Sequence, residues 1–432
     1  MPTTDVIVSF RELDATVRST TDGIYGLVKY PAKFIPQVVN YALDQALLTN
    51  SSHGSDLSVI DPFAGVGTVA VSAHLRNLKA ELWDINPMMK HNQLAHGTVL
   101  NSTRPILRAV SDVGRRLRSV EQMKIEEKPS IDEENLNYLS SWYHEDVFSL
   151  IASFWAIYED SDELERAVMF TSLVKISNKW SYNDLQKQKL CRSVKKTVQV
   201  GEWLKTIKWE AKLVDELMAA MDNAALRYRR HRASANWVYD PDIYIAKADS
   251  QIQGQEALPI GNSEIVVTSP PYLQAQEYIR ASKLPLLWLG HSLSEIKDRS
   301  RLEIPYCDPN LDQKVSSPTL LEINKGYESK GDKRAIKVLE SYFNNTIEAL
   351  TRASMNAREL YLFVGSAGLH GTSVPLDIIF AEHFVEELGW EHKVTLRDQI
   401  ATKTLFSTAV NPETKRPDVR MGTEQLVVLT RQ

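Results

Sequence analysis

The chain has 432 residues, 43% of them hydrophobic and 24% charged, with a formal net charge of −5. That supplies a sizeable core and allows two or three domains of about 100–200 residues each, while an acidic chain confines any polyanion site to a local basic patch. The only cysteines, Cys191 and Cys307, exclude a disulfide framework and a cysteine zinc site, and no metal is expected.

The first 30 residues carry Asp5, Glu12 and Asp14 and lack the basic start and apolar stretch of a signal peptide. No apolar run approaches the ~18 residues of a membrane span. A cytoplasmic protein with no membrane partner is expected. A short strand is read over Val6 to Phe10. Tyr30, Pro31, Lys33, Phe34 and Pro36 then lead into helical apolar spacing from Gln37 to Leu47. A proline-opened helix preceded by a lysine and aromatics suits a lid over a small charged ligand.

Leu57–Ile60 reads as a strand running into Asp61-Pro62-Phe63-Ala64-Gly65-Val66-Gly67-Thr68, with a helix behind it. Strand, glycine turn and helix make the nucleotide-binding βα unit. The spacing is not the dinucleotide fingerprint, and Asp61 would repel a pyrophosphate, so a cationic ligand fits better. A second strand, Ala80–Trp83, ends in Asp84-Ile85-Asn86-Pro87, which puts an acid where ribose hydroxyls could donate to it.

From about residue 90 to 238 the α/β alternation stops, and Val147–Tyr158, Glu163–Ile176 and Glu202–Ala225 have helical periodicity. Glu121–Glu134 reads as a solvated acidic loop. Between Lys175 and Arg232 fourteen Lys/Arg face six Asp/Glu, a local net of +8 interleaved with Trp180, Tyr182, Trp203, Trp209, Tyr228 and Trp237. That pattern suits a surface tracking phosphates, with Lys179, Arg192, Lys195, Lys196, Arg227, Arg229, Arg230 and Arg232 as candidate contacts. An ordinary charged helix face over buried aromatics is the competing reading.

The sheet resumes at Asp242–Lys247, closed by Ala248-Asp249-Ser250. A buried strand then ends in Thr268-Ser269-Pro270-Pro271-Tyr272. Two prolines forbid ladder and helix alike, so a rigid turn projects the Ser269 hydroxyl, the Pro270 carbonyl and the Tyr272 ring beyond the sheet. Two oxygens and a ring suit a planar group bearing an exocyclic amine. An apolar helix over Gln274–Gly290 follows, then a mobile, loop-like stretch over 291–335. The remainder reads as a helix (Ile336–Met355), a strand (Glu359–Val364) ending at Gly365, a helix (Pro375–Leu388) and a closing antiparallel hairpin (Val394–Ile400, Glu424–Leu429).

Together these motifs resemble the S-adenosylmethionine-dependent DNA amino-methyltransferases of bacterial or phage type, over roughly residues 25–90 and 240–430. The resemblance implies a Rossmann-like α/β fold with a mostly parallel sheet, split by a large helical insertion. Residues 1–90 and 239–432 would form the catalytic domain and 91–238 a DNA-recognition region. It also implies S-adenosyl-L-methionine as cofactor. The residues holding it would be Tyr30, Pro31, Lys33, Phe34, Asp61, Pro62, Phe63, Ala64, Gly65, Gly67, Thr68, Asp84, Ile85, Asp249, Ser250 and Thr268. Ser269, Pro270, Pro271 and Tyr272 would act on a flipped base in double-stranded DNA, in a restriction-modification or related system with a cognate restriction endonuclease.

Only Thr430–Gln432 follow the last strand, so sequence reading is expected in 90–238, in 291–335 or in both. Many adenine enzymes of this type carry Asp where Ser269 stands, which favours cytosine N4 and keeps adenine N6 as the alternative. An RNA guanine-N2 methyltransferase, a small-molecule methylase and a DNA-binding protein on a decayed scaffold are the rival classes.

Overall fold

The computed structural model describes residues 5–28, 33–50, 57–124, 127–185, 190–206, 208–235, 238–244, 260–273, 277–399 and 422–431. The central sheet is built from β1 (Asp5–Ile7), β2 (Ser58–Asp61), β3 (Lys79–Trp83), β4 (Asp242–Tyr244), β5 (Ile265–Thr268) and β6 (Glu359–Gly365). A small hairpin follows, β7 (Ala367–Leu369) and β8 (Thr372–Val374), and then β9 (Glu391–Gln399) and β10 (Thr423–Thr430) complete the sheet. The eight-stranded order is β1-β9-β10-β6-β5-β2-β3-β4. Five of its seven pairings are parallel, and β10 alone runs antiparallel to both neighbours, β6 and β9. The expected mostly parallel α/β sheet with a closing antiparallel pair is therefore present.

The chain moves from β2 outward through β3 and β4, then returns to the other side of β2 with β5 and β6. Counted from β2, this part of the sheet has the doubly wound order 3-2-1-4-5, whose topological switch point lies between β2 and β5. The carboxyl ends of these two strands are Asp61 and Thr268. The two stretches that sequence reading singled out therefore meet where open α/β sheets bind ligands.

Side-chain alternation divides the central strands between two cores. Val59, Ile265, Val267, Tyr361, Phe363, Leu426 and Val428 pack on one face, while Ile60, Val266, Leu360, Leu362, Val364, Val427 and Leu429 pack on the other. The first face is covered by α1 (Pro36–Thr49), α2 (Thr68–His74) and α3 (Pro87–Asn101).

The insertion supplies α4 (Ile106–Met123), α5 (Glu133–Ser140), α6 (Glu145–Glu159), α7 (Glu163–Trp180), α8 (Val194–Leu204) and α9 (Trp209–Ser234). Its buried side chains, among them Val113, Phe154, Phe170 and Leu217, belong to the same continuous core as that first face. The insertion is thus built onto the sheet layer rather than tethered beside it. The periodic stretch read as Glu202–Ala225 is two helices, broken where Lys208 adopts φ +63°.

After β5 come α10 (Tyr278–Ala281), α11 (Lys283–Trp288) and α12 (Leu293–Ser300). Next are α13 (Pro318–Ser329), α14 (Lys333–Ala353) and, beyond β8, α15 (Leu376–Glu386), and these last three cover the second face. The loop expected over 291–335 is corrected here. Ser292 and Ser317 cap α12 and α13 by accepting from Glu295 and Leu320 amides, and Pro318 sits in the first helical turn, where a missing amide costs nothing. The single helix expected over 274–290 is two short ones, divided at Ser282. No helix among the described residues is long and apolar enough to cross a membrane.

Candidate active site

Asp61 ends β2 and is 1% exposed. Its Oδ1 accepts from the Phe63 amide at 3.0 Å and from Thr268 Oγ1 at 2.6 Å. Burial pushes its carboxyl up to about 7; the two hydrogen bonds oppose that rise and the Asp84 charge adds to it. The turn after Asp61 is held against β3 by the Ala64 amide, which donates to the Trp83 carbonyl at 2.9 Å.

Gly65 and Gly67 adopt φ of +51° and +78°, which a side chain rarely tolerates. At Gly67 the space is also absent, since a Cβ would lie 1.7 Å from Gln93 Nε2. Gln93 in turn donates to the Val66 carbonyl at 2.6 Å and accepts from Tyr239 Oη at 2.6 Å. The glycine turn is thus braced from behind by α3 and by the segment that follows α9.

Asp84, at the end of β3, accepts from the Gly65 amide at 2.7 Å and from the Asn86 amide at 2.8 Å. Asn86 caps α3 by accepting from Met88 N–H at 3.1 Å. Burial pushes the Asp84 carboxyl up to about 6, opposed by its backbone donors. Two carboxylates, from neighbouring strand ends, thus flank one glycine turn.

A cavity opens between this turn and the β5 turn. It is lined by Pro62, Phe63, Ala64, Gly65, Thr68, Asp84 and Ile85 on one side and by Ser269, Pro270, Pro271 and Tyr272 on the other, with Lys33 and Phe34 at its edge. Phe34 stacks on Phe363, with centroids 5.4 Å apart. Burial draws the Lys33 amine down to about 8, and the Arg227 charge adds to that. The Tyr272 phenol is pushed up to about 12 by burial, with the Glu424 charge adding.

Thr268 and Asp61 are not among the lining residues: Thr268 is fully buried and is bonded to Asp61. Gly67 shapes the turn from behind. Tyr30, Pro31, Asp249 and Ser250 lie outside the described residues.

Four polar residues of the cavity wall, Asn86, Tyr278, Glu303 and Asn345, were missed as site residues in the sequence. Glu303 is 3% exposed, accepts from the Ile279 amide at 2.8 Å, and is pushed up to about 8 by burial, with the Glu277 and Asp84 charges adding. A carboxylate set between Leu302 and Ile304 was its one local signal. Nothing in the sequence around Tyr278 or Asn345 pointed inward.

Part of the basic patch of the insertion has partners within the fold. Lys179 pairs with Glu216 at 2.7 Å. Lys179, Lys196 and Lys212 converge on the Trp203 ring at 5.7, 4.4 and 5.7 Å, and Arg192 lies 4.8 Å from the Tyr182 ring. Arg227 donates to the Thr21 and Gly23 carbonyls at 3.1 and 2.9 Å, tying α9 to the turn ahead of the cavity. Trp180 and Tyr228 are fully buried. Arg192, Lys195, Arg229, Arg230 and Arg232 are exposed.

The fold and cavity define an α/β protein with a cleft at the switch point of its mostly parallel sheet. No family model, no curated protein and no solved structure matches the chain.

Proposed function

We propose that the chain is a DNA methyltransferase that uses S-adenosyl-L-methionine to methylate the exocyclic N4 amine of a cytosine turned out of the duplex. One observation carries this reading: the Gly65 turn, Asp84 and the Ser269–Tyr272 turn converge on a single cavity at the switch point, and Asp61, at the start of the first turn, is bonded to Thr268, at the start of the second.

The residues present fit the cofactor. Asp84 gives the cavity wall the negative character a cationic ligand needs. Glycines at positive φ let the backbone come close to that ligand. Thr68 lines the cavity, and its buried Oγ1 has no hydrogen-bond partner among the described residues, so a ligand hydroxyl or amine would satisfy it. Asp84 would accept from ribose hydroxyls, and Lys33 would meet a carboxylate. Bound S-adenosylmethionine would supply an electrophilic methyl group on its sulfonium.

The opposite wall would handle the base. Extrusion of a base costs a few kcal/mol, and stacking on Tyr272, worth about 1–3 kcal/mol, would offset much of it. Ser269 Oγ and the Pro270 carbonyl would accept from the amine, orienting its lone pair. Positioning of this kind needs no covalent enzyme nucleophile, and neither Cys191 nor Cys307 lines the cavity. Cytosine is assigned from Ser269, a small hydroxyl where an acid would favour adenine. A cognate restriction endonuclease follows only from the resemblance.

The test is transfer of labelled methyl from S-adenosylmethionine to duplex DNA, followed by nucleoside analysis. Label in N4-methylcytosine supports the assignment. Cofactor binding without transfer to DNA would overturn the substrate.

A further inference from the structure

The methylation cavity has a neighbour with which it shares a wall. A second cleft is lined on the insertion side by Tyr138, Trp142 and Arg192, and on the catalytic side by Lys283, Lys297 and Tyr306. Glu303 lines both spaces, so the two lie on either side of that residue.

The chemistry of this cleft differs from that of the first. Four cations line it, the fourth being Arg280, against two carboxylates, Glu277 and Glu303. Arg280 is held by Glu277 at 2.8 Å, and Glu303 is buried and turned to the Ile279 amide. Lys283 lies 4.2 Å from the Tyr138 ring, and Tyr138 packs against Trp142 with centroids 6.3 Å apart. Tyr306 is 55% exposed, and Lys297 is exposed as well. Tyr138 and Trp142 are half-buried and Tyr306 is the exposed ring; rings beside cations suit a nucleic-acid strand, since cations meet phosphates and rings stack on bases.

The α9 surface offers only half of this. Arg229, Arg230 and Arg232 are exposed there, but Tyr228 is fully buried, so among the described residues of that stretch no exposed ring accompanies the charges. Nothing lining the methylation cavity belongs to α9.

We propose that the cleft between Tyr138 and Tyr306 holds the DNA strand on either side of the extruded base, and that α9 does not. This rests on the DNA methyltransferase reading. The insertion then serves as one jaw of a groove whose other jaw is the segment following the catalytic turn. An extruded nucleotide would enter the first cavity past Glu303 while its neighbours stay in the second.

The test is fluorescence anisotropy with labelled mixed-sequence duplex DNA and the full chain, at several salt concentrations. The variants are Lys297→Glu, Tyr306→Ala and, for comparison, Arg229→Glu combined with Arg230→Glu. S-adenosylmethionine titration of each variant checks that it is folded and reports the first cavity separately. Lys297→Glu is expected to weaken DNA binding about tenfold and to reduce the slope of log K against log salt by about one. Tyr306→Ala is expected to weaken it about fivefold or more. The α9 pair should change it less than Lys297→Glu does.

Normal affinity in both cleft variants, with a loss confined to the α9 pair, would overturn the groove while leaving the methyltransferase reading standing. A wild-type chain that binds S-adenosylmethionine and RNA but not duplex DNA would overturn the DNA reading, and this assignment of the cleft with it.

Discussion

Thr268 Oγ1 donates to Asp61 Oδ1 at 2.6 Å, joining the ends of β5 and β2 across the switch point of the sheet. Both side chains are buried, so neither can turn to water for a replacement partner. The bond sets the carboxylate at the base of the glycine turn and fixes the start of the proline turn with one contact. Thr268→Val removes the donor and keeps the shape. A hydrogen bond to a charged group is worth about 1.5–3 kcal/mol, so S-adenosylmethionine affinity should fall about tenfold or more. Thr268→Ser should restore it to within about twofold. Calorimetric titration of both variants checks this, and equal losses would show that packing rather than the hydroxyl matters.

Asp84 gives affinity and stability opposite pH trends. Its folded-state value, raised to about 6, lies above the ordinary 3.8. A raised carboxyl contributes stability that is fully present below its unfolded value and is lost as pH rises through the folded one. Asp61, raised to about 7, behaves in the same way. The ligand-free chain should therefore lose melting temperature between about pH 4 and 7, while cofactor affinity grows as Asp84 ionises. Asp84→Asn should raise the ligand-free melting temperature at the upper end, by on the order of 2 °C for each kcal/mol released. The same change should cut cofactor affinity about tenfold or more, by the loss of charged hydrogen bonds. Differential scanning fluorimetry across pH, with and without cofactor, separates the two effects.

Tyr272 should divide binding from chemistry the other way. Removing the ring forfeits about 1–3 kcal/mol of stacking on the extruded base. Tyr272→Ala should lower kcat/KM for DNA by about tenfold or more and leave cofactor affinity within about twofold. Tyr272→Phe should keep most activity, because the ring face and not the phenol is used. Steady-state kinetics beside cofactor titration would show it, and a Phe variant as poor as Ala would refute the stacking role.

How much of this could be read from residues alone depends on how local each feature is. The Asp61–Gly67 turn was legible because positive φ, glycine and proline act within a few residues, and the Ser269–Tyr272 turn for the same reason. That the two meet was foreseen only through the fold class; the strand order makes it explicit. Glu303 was illegible because its burial depends on α10 presenting the Ile279 amide to it. The helices within 291–335 were not legible because a proline signals a loop and a helix start alike, and here Pro318 opens a helix behind its Ser317 cap. In the basic patch, charge spacing could not reveal that Lys179 answers Glu216 on another helix, or that Lys196 and Lys212 sit over Trp203.

Arg227 is expected to act on the fold and not on DNA. Its guanidinium holds the Thr21 and Gly23 carbonyls, and a Cβ at nearby Gly26 would come within 2.4 Å of it. Arg227→Ala should cost about 1.5–3 kcal/mol of stability and leave DNA affinity within about twofold. Urea denaturation beside anisotropy checks the pair of expectations, and a large loss of affinity at unchanged stability would reverse them.

The most direct measurement is made on DNA from cells. The chain would be expressed in a host lacking DNA methylation, the genomic DNA digested to nucleosides, and the digest analysed by mass spectrometry. A new N4-methylcytosine peak, absent with Asp84→Ala, is the expected result. No modified nucleoside, together with no binding of S-adenosylmethionine by the purified chain, would contradict the central claim.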